Sequence, residues 1–313
     1  MTDAFIERAE AARLISRPSF ADFPKDTPIH AAFRKIELRA GTQPPKGAMK
    51  HRVSFGTGCT REEAARLAGF EAIERYALQY SSDEPETRES LIASDGAIHV
   101  MPSGALALGA PCSNGKITSK GAAAGPTHEA AALWAALEFL EHALGSQEFT
   151  HLLPETALPC DLTRWLNAHL RQLSIHIHEV PGIGLLLRAV CADVDGGRPT
   201  YGTAFSADLA QGVWHAASEA VVSWRNMVML DHNGVTEDGM DTEQTRLFRL
   251  YRGAQSDRAT APTTLFDVEG WDAPNPTLTG VLRAASKIAC RPVAIFDMTA
   301  PEIPLPVVKI ASI

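Results

Sequence analysis

Apolar positions recur along the chain with two periods, and segments of each kind alternate. In REEAARLAGFEAIERYALQY, Leu67, Phe70, Ile73 and Ala77 mark one face of a helix. The preceding HRVSFGTGCT alternates as a short strand does and ends in Gly56-Thr57-Gly58. This succession of strand, glycine turn and helix returns twice. Ser119-Lys120-Gly121 and the small residues up to Gly125 lead into THEAAALWAALEFLEHALG, with Thr127 as N-cap and Gly145 as stop. The strand-like LLLRAVCADVDGG and RPTYGTAF precede Ser206 and Asp208, which cap a helix running through LAQGVWHAASEAVVSWRNMVML. The three units match too loosely for a solenoid and read as internal repeats of one theme.

The rest of the chain is less regular. Residues 1–50 start with an amphipathic helix, MTDAFIERAEAARLISR, and continue through Pro- and Gly-punctuated loops such as PSFADFPKDTP and GTQPPKG, which predicts a weakly organised lead-in. Between the second and third units, LTRWLNAHLRQL reads as a short helix. IHIHEVPG reads as an edge strand with His176 and His178 exposed on one face. That histidine pair is taken as structural, since a metal pair calls for a carboxylate or third ligand beside it. The polar stretch 231–275 holds one helix, DTEQTRLFRLYRG. The chain closes with a helix (LTGVLRAASKIA) and two strands (PVAIFDMT and LPVVKIASI). Long helices packed on mixed β-sheets predict an α/β or α+β class.

Composition narrows the function. Of the 313 residues, 45% are hydrophobic and 21% charged, the balance of a packed globular protein. The net charge of -8 provides no basic field for a nucleic-acid backbone, so no nucleic acid is expected as partner. Cys59, Cys112, Cys160, Cys191 and Cys290 are scattered and lack the spacing of a zinc knuckle. No membrane span or signal peptide is legible, and the thiols are expected to be free in a cytoplasmic protein.

Two helices carry paired carboxylates, Glu71 and Glu74 on one and Glu138 and Glu141 on the other. Residues three apart lie on adjacent turns of one helix face, so each pair can converge on a single cation. A lone pair of this kind is usually a solvated face. Here each lies within an apolar stretch, GFEAIERYAL or ALEFLEHAL, where a buried carboxylate needs a partner. A di-iron site would want His three residues after Glu, which neither Glu71 nor Glu138 has, and no Walker, zincin or nucleophile-elbow motif is present.

The blocks also resemble a known family. GTG followed by EEAARLAGFEAIERYA looks like the first motif of YcaO-domain proteins. SNGKITSKGAAAGPTHEAAALWAALEFLEHA is similar to the second, YGTAFSADLAQGVWHAASEAVVSWR resembles the third, and VAIFDMTAPEIPLPVVKI looks like the closing segment. The likeness covers about residues 52–310, so that residues 51–313 are expected to form a YcaO-like domain after the lead-in. It implies a YcaO-like ATP-binding fold with ATP and Mg²⁺ as cofactors. Glu71, Glu74, Glu138 and Glu141 would then serve the metal, and Thr57, Lys120, His142, Glu219 and Arg225 would lie on the nucleotide side. It implies an ATP-dependent cyclodehydratase that phosphorylates a backbone amide oxygen of a ribosomally made precursor peptide, after which a Cys, Ser or Thr side chain attacks to give an azoline.

The sequence departs from the family pattern at several polar positions. Thr57 stands for Lys, Leu67 for Ser, Lys120 and Pro126 for Asn, Ala130 for Glu, His142 for Arg, Val222 for Gln and Trp224 for Arg, with Arg225 adjacent. Such losses remove contacts that a triphosphate would use. Family enzymes usually carry a longer lead-in and a Pro-rich tail, which leads to the expectation that a leader-binding protein or second subunit delivers the peptide, within a homo- or heterodimer. The alternative reading is a non-catalytic, degenerate YcaO-like scaffold that supports a partner enzyme.

Overall fold

The computed structural model describes residues 3–24, 26–43, 52–111, 117–145, 147–238, 240, 242–253, 262 and 264–313. Cys112 and much of the GTQPPKG and SNGK segments lie outside these residues. The chain forms two compact units: Met1–Ala21, His30–Gly145 and Pro276–Ile313 make one, and Asp22–Ile29 with Ser146–Asn275 the other.

The first unit begins with α1 (Asp3–Ala11), followed by β1 (Ser19–Phe20), β2 (His30–Lys35) and β3 (Val53–Gly58), which pair antiparallel in that order. Residues 19–35 thus contribute strands where the sequence pattern suggested only loops. The reason is that His30–Lys35 shows a run of mixed burial, not clean alternation, and takes its register from β3. Helix α2 (Arg61–Ala77) follows, and Thr60 caps it by accepting from the Glu63 N–H. Beyond it come β4 (Thr87–Ala93), β5 (Val100–Pro102), β6 (Ala122–Ala124) and α3 (His128–Ala143). Thr127 caps α3 by accepting from the Ala130 N–H. After an excursion into the second unit, α7 (Leu278–Ala289), β11 (Val293–Asp297) and β12 (Val307–Ser312) complete a five-stranded sheet of order β5-β4-β11-β12-β6. Ile73 and Tyr76 of α2 share one core with Phe296, Met298 and Leu305, and Ile6 of α1 joins it.

The second unit holds β7 (His151–Leu152), α4 (Cys160–Ala168), β8 (Arg171–Val180), β9 (Gly184–Asp193), β10 (Thr200–Ser206), α5 (Leu209–His232) and α6 (Thr242–Gly253). Its strands pair antiparallel in the order β10-β9-β8-β7, which corrects the placement of His176 and His178: β8 has a partner on both sides. Both imidazoles are half-buried. His178 Nδ1 lies 2.9 Å from the Glu148 carbonyl, and His176 packs edge-on against Phe149. One sheet face, with Ile175, Ile177, Leu187 and Ala189, is buried, and α5 packs on β9 and β10. Among the described residues, all pairs of named strands are antiparallel, which makes the class α+β.

The internal repeats have a shared packing device. A Cβ at Gly56 on β3 would lie 2.2 Å from the Ala68 nitrogen and 2.6 Å from the Ala64 oxygen of α2. One at Gly202 on β10 would lie 2.1 Å from the Ala216 oxygen and 2.5 Å from the Ala220 nitrogen of α5. In each unit a glycine and two alanines let strand and helix backbones touch, which only the smallest side chains permit.

Candidate functional site

Helices α2 and α3 present their paired carboxylates within the first unit. Glu71 Oε2 accepts the Phe55 N–H of β3 at 3.2 Å, while its Oε1 meets Arg75 Nη2 at 2.5 Å. Arg75 in turn donates to the Val53 carbonyl at 2.8 Å, so this end of the cluster is anchored to β3. Glu74 sits one turn along. Burial pushes its carboxyl well above the ordinary carboxylate range, and the charges of Glu138 and Glu71 push it further. Arg75 and Lys309 oppose that rise.

Glu138, across on α3, is also raised by burial, while an interaction with His142 opposes the rise. His142 Nε2 lies 3.5 Å from Glu138 Oε1. The charge of Glu141 adds to the upward push, and the Gly121 N–H donates to the Glu138 carboxylate. Gly121 has φ +72°, and a Cβ there would come within 2.6 Å of Ile310 Cγ2. A glycine therefore turns the chain and aims its N–H at Glu138.

Lys309 on β12 completes the cluster and was missed in the sequence. Only 6% of it is exposed, and its ammonium donates to the Thr118 carbonyl. Burial lowers its pKa to about 8 against the opposing fields of Glu138 and Glu74. The available signal was one lysine inside the apolar run LPVVKI, where a buried cation demands carboxylates nearby.

The structure thus brings Glu71, Glu74, Glu138, Glu141 and His142 into one electrostatic cluster. Lys120 is exposed beside Gly121, and Thr57 is half-buried on β3 opposite Ala31. Glu219 and Arg225 belong to the second unit. Glu219 Oε2 accepts the Thr203 N–H at 2.6 Å, and Arg225 Nε donates to the Asp22 carbonyl at 3.2 Å. Glu219 also lines a cavity of about 670 Å³ above the polar face of β8, β9 and β10, with His176, Arg188, Tyr201 and Thr203. The Arg188 guanidinium there stacks on Phe149 at 4.4 Å. Val222, at 6% exposure, is core, and Trp224 packs edge-on with Trp165 under the Arg171 guanidinium.

Among the described residues, no group of three or more His, Cys, Asp and Glu side chains is placed so that it could hold a metal ion. The oxygen-rich donor set nevertheless suits a hard divalent cation. The four carboxylates of Glu71, Glu74, Glu138 and Glu141 outnumber the cations Arg75 and Lys309 in their field, and Mg²⁺ typically takes only one or two protein carboxylates. No described helix is long and apolar enough to cross a membrane.

No family model matches the sequence, and no curated protein matches it. Solved structures do match. A heterocyclase in complex with substrate and cofactor superposes with TM-score 0.72 at 14% identity, over 98% of this chain and 52% of its own, so that this chain spans about half its length. YcaO from Methanopyrus kandleri, bound with AMPPCP and Mg²⁺, gives TM-score 0.68 at 16% identity over 100% of this chain and 90% of its own. The E. coli microcin synthetase McbBCD complex gives 0.62 at 11% identity over 94% and 87%. On this structural similarity the chain has the YcaO-like fold.

Proposed function

We propose that this chain is an ATP- and Mg²⁺-using YcaO-like cyclodehydratase component that activates a backbone amide in a ribosomally made peptide, leading to an azoline-type heterocycle, within a complex. The observation that carries the reading is the pair Glu74 and Glu138. The charge of half-buried Glu138 on one helix raises the pKa of half-buried Glu74 on the other, an arrangement that a divalent cation relieves. The fold it shares with a YcaO bound to AMPPCP and Mg²⁺ adds support.

When bound, ATP with its metal supplies the phosphoryl group that turns an amide oxygen into a good leaving group. The chain's own residues would do the rest. Glu71, Glu74, Glu138 and Glu141 would supply the one or two carboxylates that hold the cation. Arg75 and the Phe55 N–H keep Glu71 in place, and the Gly121 N–H keeps Glu138 in place. Thr57, Lys120 and His142, in the same unit as the carboxylates, are assigned to the nucleotide side. The precursor peptide and a leader-binding partner or second subunit complete the assembly, a reading in keeping with the McbBCD complex and the substrate-bound heterocyclase.

A second reading, a non-catalytic scaffold subunit, is favoured by Val222 and Trp224, which serve packing where the family pattern has Gln and Arg. Mass spectrometry separates the two. Chain, partner, peptide and Mg-ATP together should give a peptide lighter by one water per ADP formed. Equal dehydration when Glu138→Gln replaces the wild type assigns the chemistry to the partner.

A further inference from the structure

The carboxylates of Glu74 and Glu138 come with a cation of their own. Lys309 stands on β12 between Val308 and Ile310, both buried, and its own side chain is excluded from solvent. Its ammonium donates to the carbonyl of Thr118, in the turn that runs through Lys120 to Gly121. Glu138 and Glu74 are the charges that favour its protonated form, and Lys309 is one of the two cations that favour an ionised Glu74. Burying an ammonium on a strand where an apolar residue would pack as well is costly for stability alone. The placement makes sense if the charge acts on a ligand.

A fixed positive charge beside a carboxylate cluster affects two ligands in opposite senses. It repels a bare divalent cation, and it attracts a triphosphate carrying that cation. Resting on the reading of Glu71, Glu74, Glu138 and Glu141 as the metal-binding set, we infer that Lys309 is a specificity-determining positioning residue. It weakens the binding of a bare divalent cation and strengthens that of a metal-triphosphate, so that metal enters the site with its nucleotide and not ahead of it. The Thr118 carbonyl fixes the ammonium, and the same interaction docks the turn that bears Lys120.

The test uses the full chain as wild type, Lys309→Met, Lys309→Gln and Lys309→Arg, at one pH. Bare Mn²⁺ is titrated by electron paramagnetic resonance, and Mg-AMPPNP by calorimetry, with the thermal midpoint of each protein recorded. In Lys309→Met and Lys309→Gln, Mn²⁺ should bind at least about tenfold more tightly and Mg-AMPPNP at least about tenfold more weakly, while Lys309→Arg stays near wild type. A merely structural role would lower the midpoint and both affinities together, and Lys309→Gln serves if Lys309→Met does not fold. The inference is overturned if Mn²⁺ affinity fails to rise, or if it rises while nucleotide affinity is unchanged. Failure of the wild type to bind Mg-AMPPNP overturns the nucleotide reading on which the inference rests, whereas binding by the wild type with the variants' affinities unchanged overturns the inference alone.

Discussion

Glu74 on α2 and Glu138 on α3 lie close enough for the charge of Glu138 to raise the pKa of Glu74, although each is borne by a different helix. The pair gives the first prediction. Because burial and neighbouring carboxylates raise the folded pKa of Glu74 above its unfolded value, its protonated form is favoured by folding. Between the unfolded pKa and the raised folded one, the native state binds more protons than the unfolded state. Stability should therefore rise as pH falls from neutral through the folded pKa, and be lost again as pH rises. Glu74→Gln should flatten that dependence and raise the midpoint at pH 7.5; scanning calorimetry at several pH values reads both. A Glu74→Gln midpoint lower than wild type by several degrees would contradict it.

The two glycine contacts predict a shared vulnerability. Gly56→Ala and Gly202→Ala each drive a methyl into helix backbone, at Ala68 and at Ala216, where no flexible side chain can give way. Each should destabilise by about 3 kcal/mol or more, the upper range for overpacking. Chemical denaturation of the two variants checks it, and a loss below about 1 kcal/mol in either would show that strand and helix separate more easily than the packing implies.

Arg171 predicts a loss confined to the second unit. Its guanidinium is 1% exposed as a residue, meets Asp193 Oδ1 at 2.7 Å and donates to the carbonyls of Cys191 and Arg198 at 2.6 and 3.0 Å. Arg171→Met leaves Asp193 and these carbonyls without that donor and should cost about 3–5 kcal/mol, the range for breaking a buried pair. Hydrogen exchange should show faster opening in β8 and β9. Unchanged protection there would assign the network no structural role.

Much of this architecture was legible in the chain. The caps at Thr127 and Asp208 and the apolar spacing of α2 placed the long helices, because side-chain capping and three-to-four periodicity are local properties. The paired carboxylates were legible for the same reason. Strands β1, β2, β4, β5, β6 and β7 were not, since they are short or take their register from partners distant in sequence. Lys309 was hidden by the same non-locality: nothing within LPVVKI says which carboxylates lie above it. The exposed edge expected for His176 disappeared because a two-residue strand, His151–Leu152, covers it.

The chain alone should turn over peptide slowly. Thr57, Leu67 and Val222 stand where the family pattern has hydrogen-bonding side chains, and each missing bond to a charged group costs about 1.5–3 kcal/mol. ADP release with Mg-ATP and a Cys/Ser/Thr-rich precursor peptide should rise at least about tenfold when a leader-binding partner is added, a gain of about 1.4 kcal/mol. Full turnover by the purified chain, unaffected by partners, would contradict this.

Calorimetric titration of Mg-ATP into wild type, Glu71→Gln and Glu138→Gln shows whether the carboxylates of α2 and α3 form one magnesium-nucleotide site. The wild type should bind saturably and only with Mg²⁺, and both variants should lose that binding with their thermal midpoints kept or raised. Binding of equal strength in all three proteins, or in the wild type without any divalent cation, would contradict it.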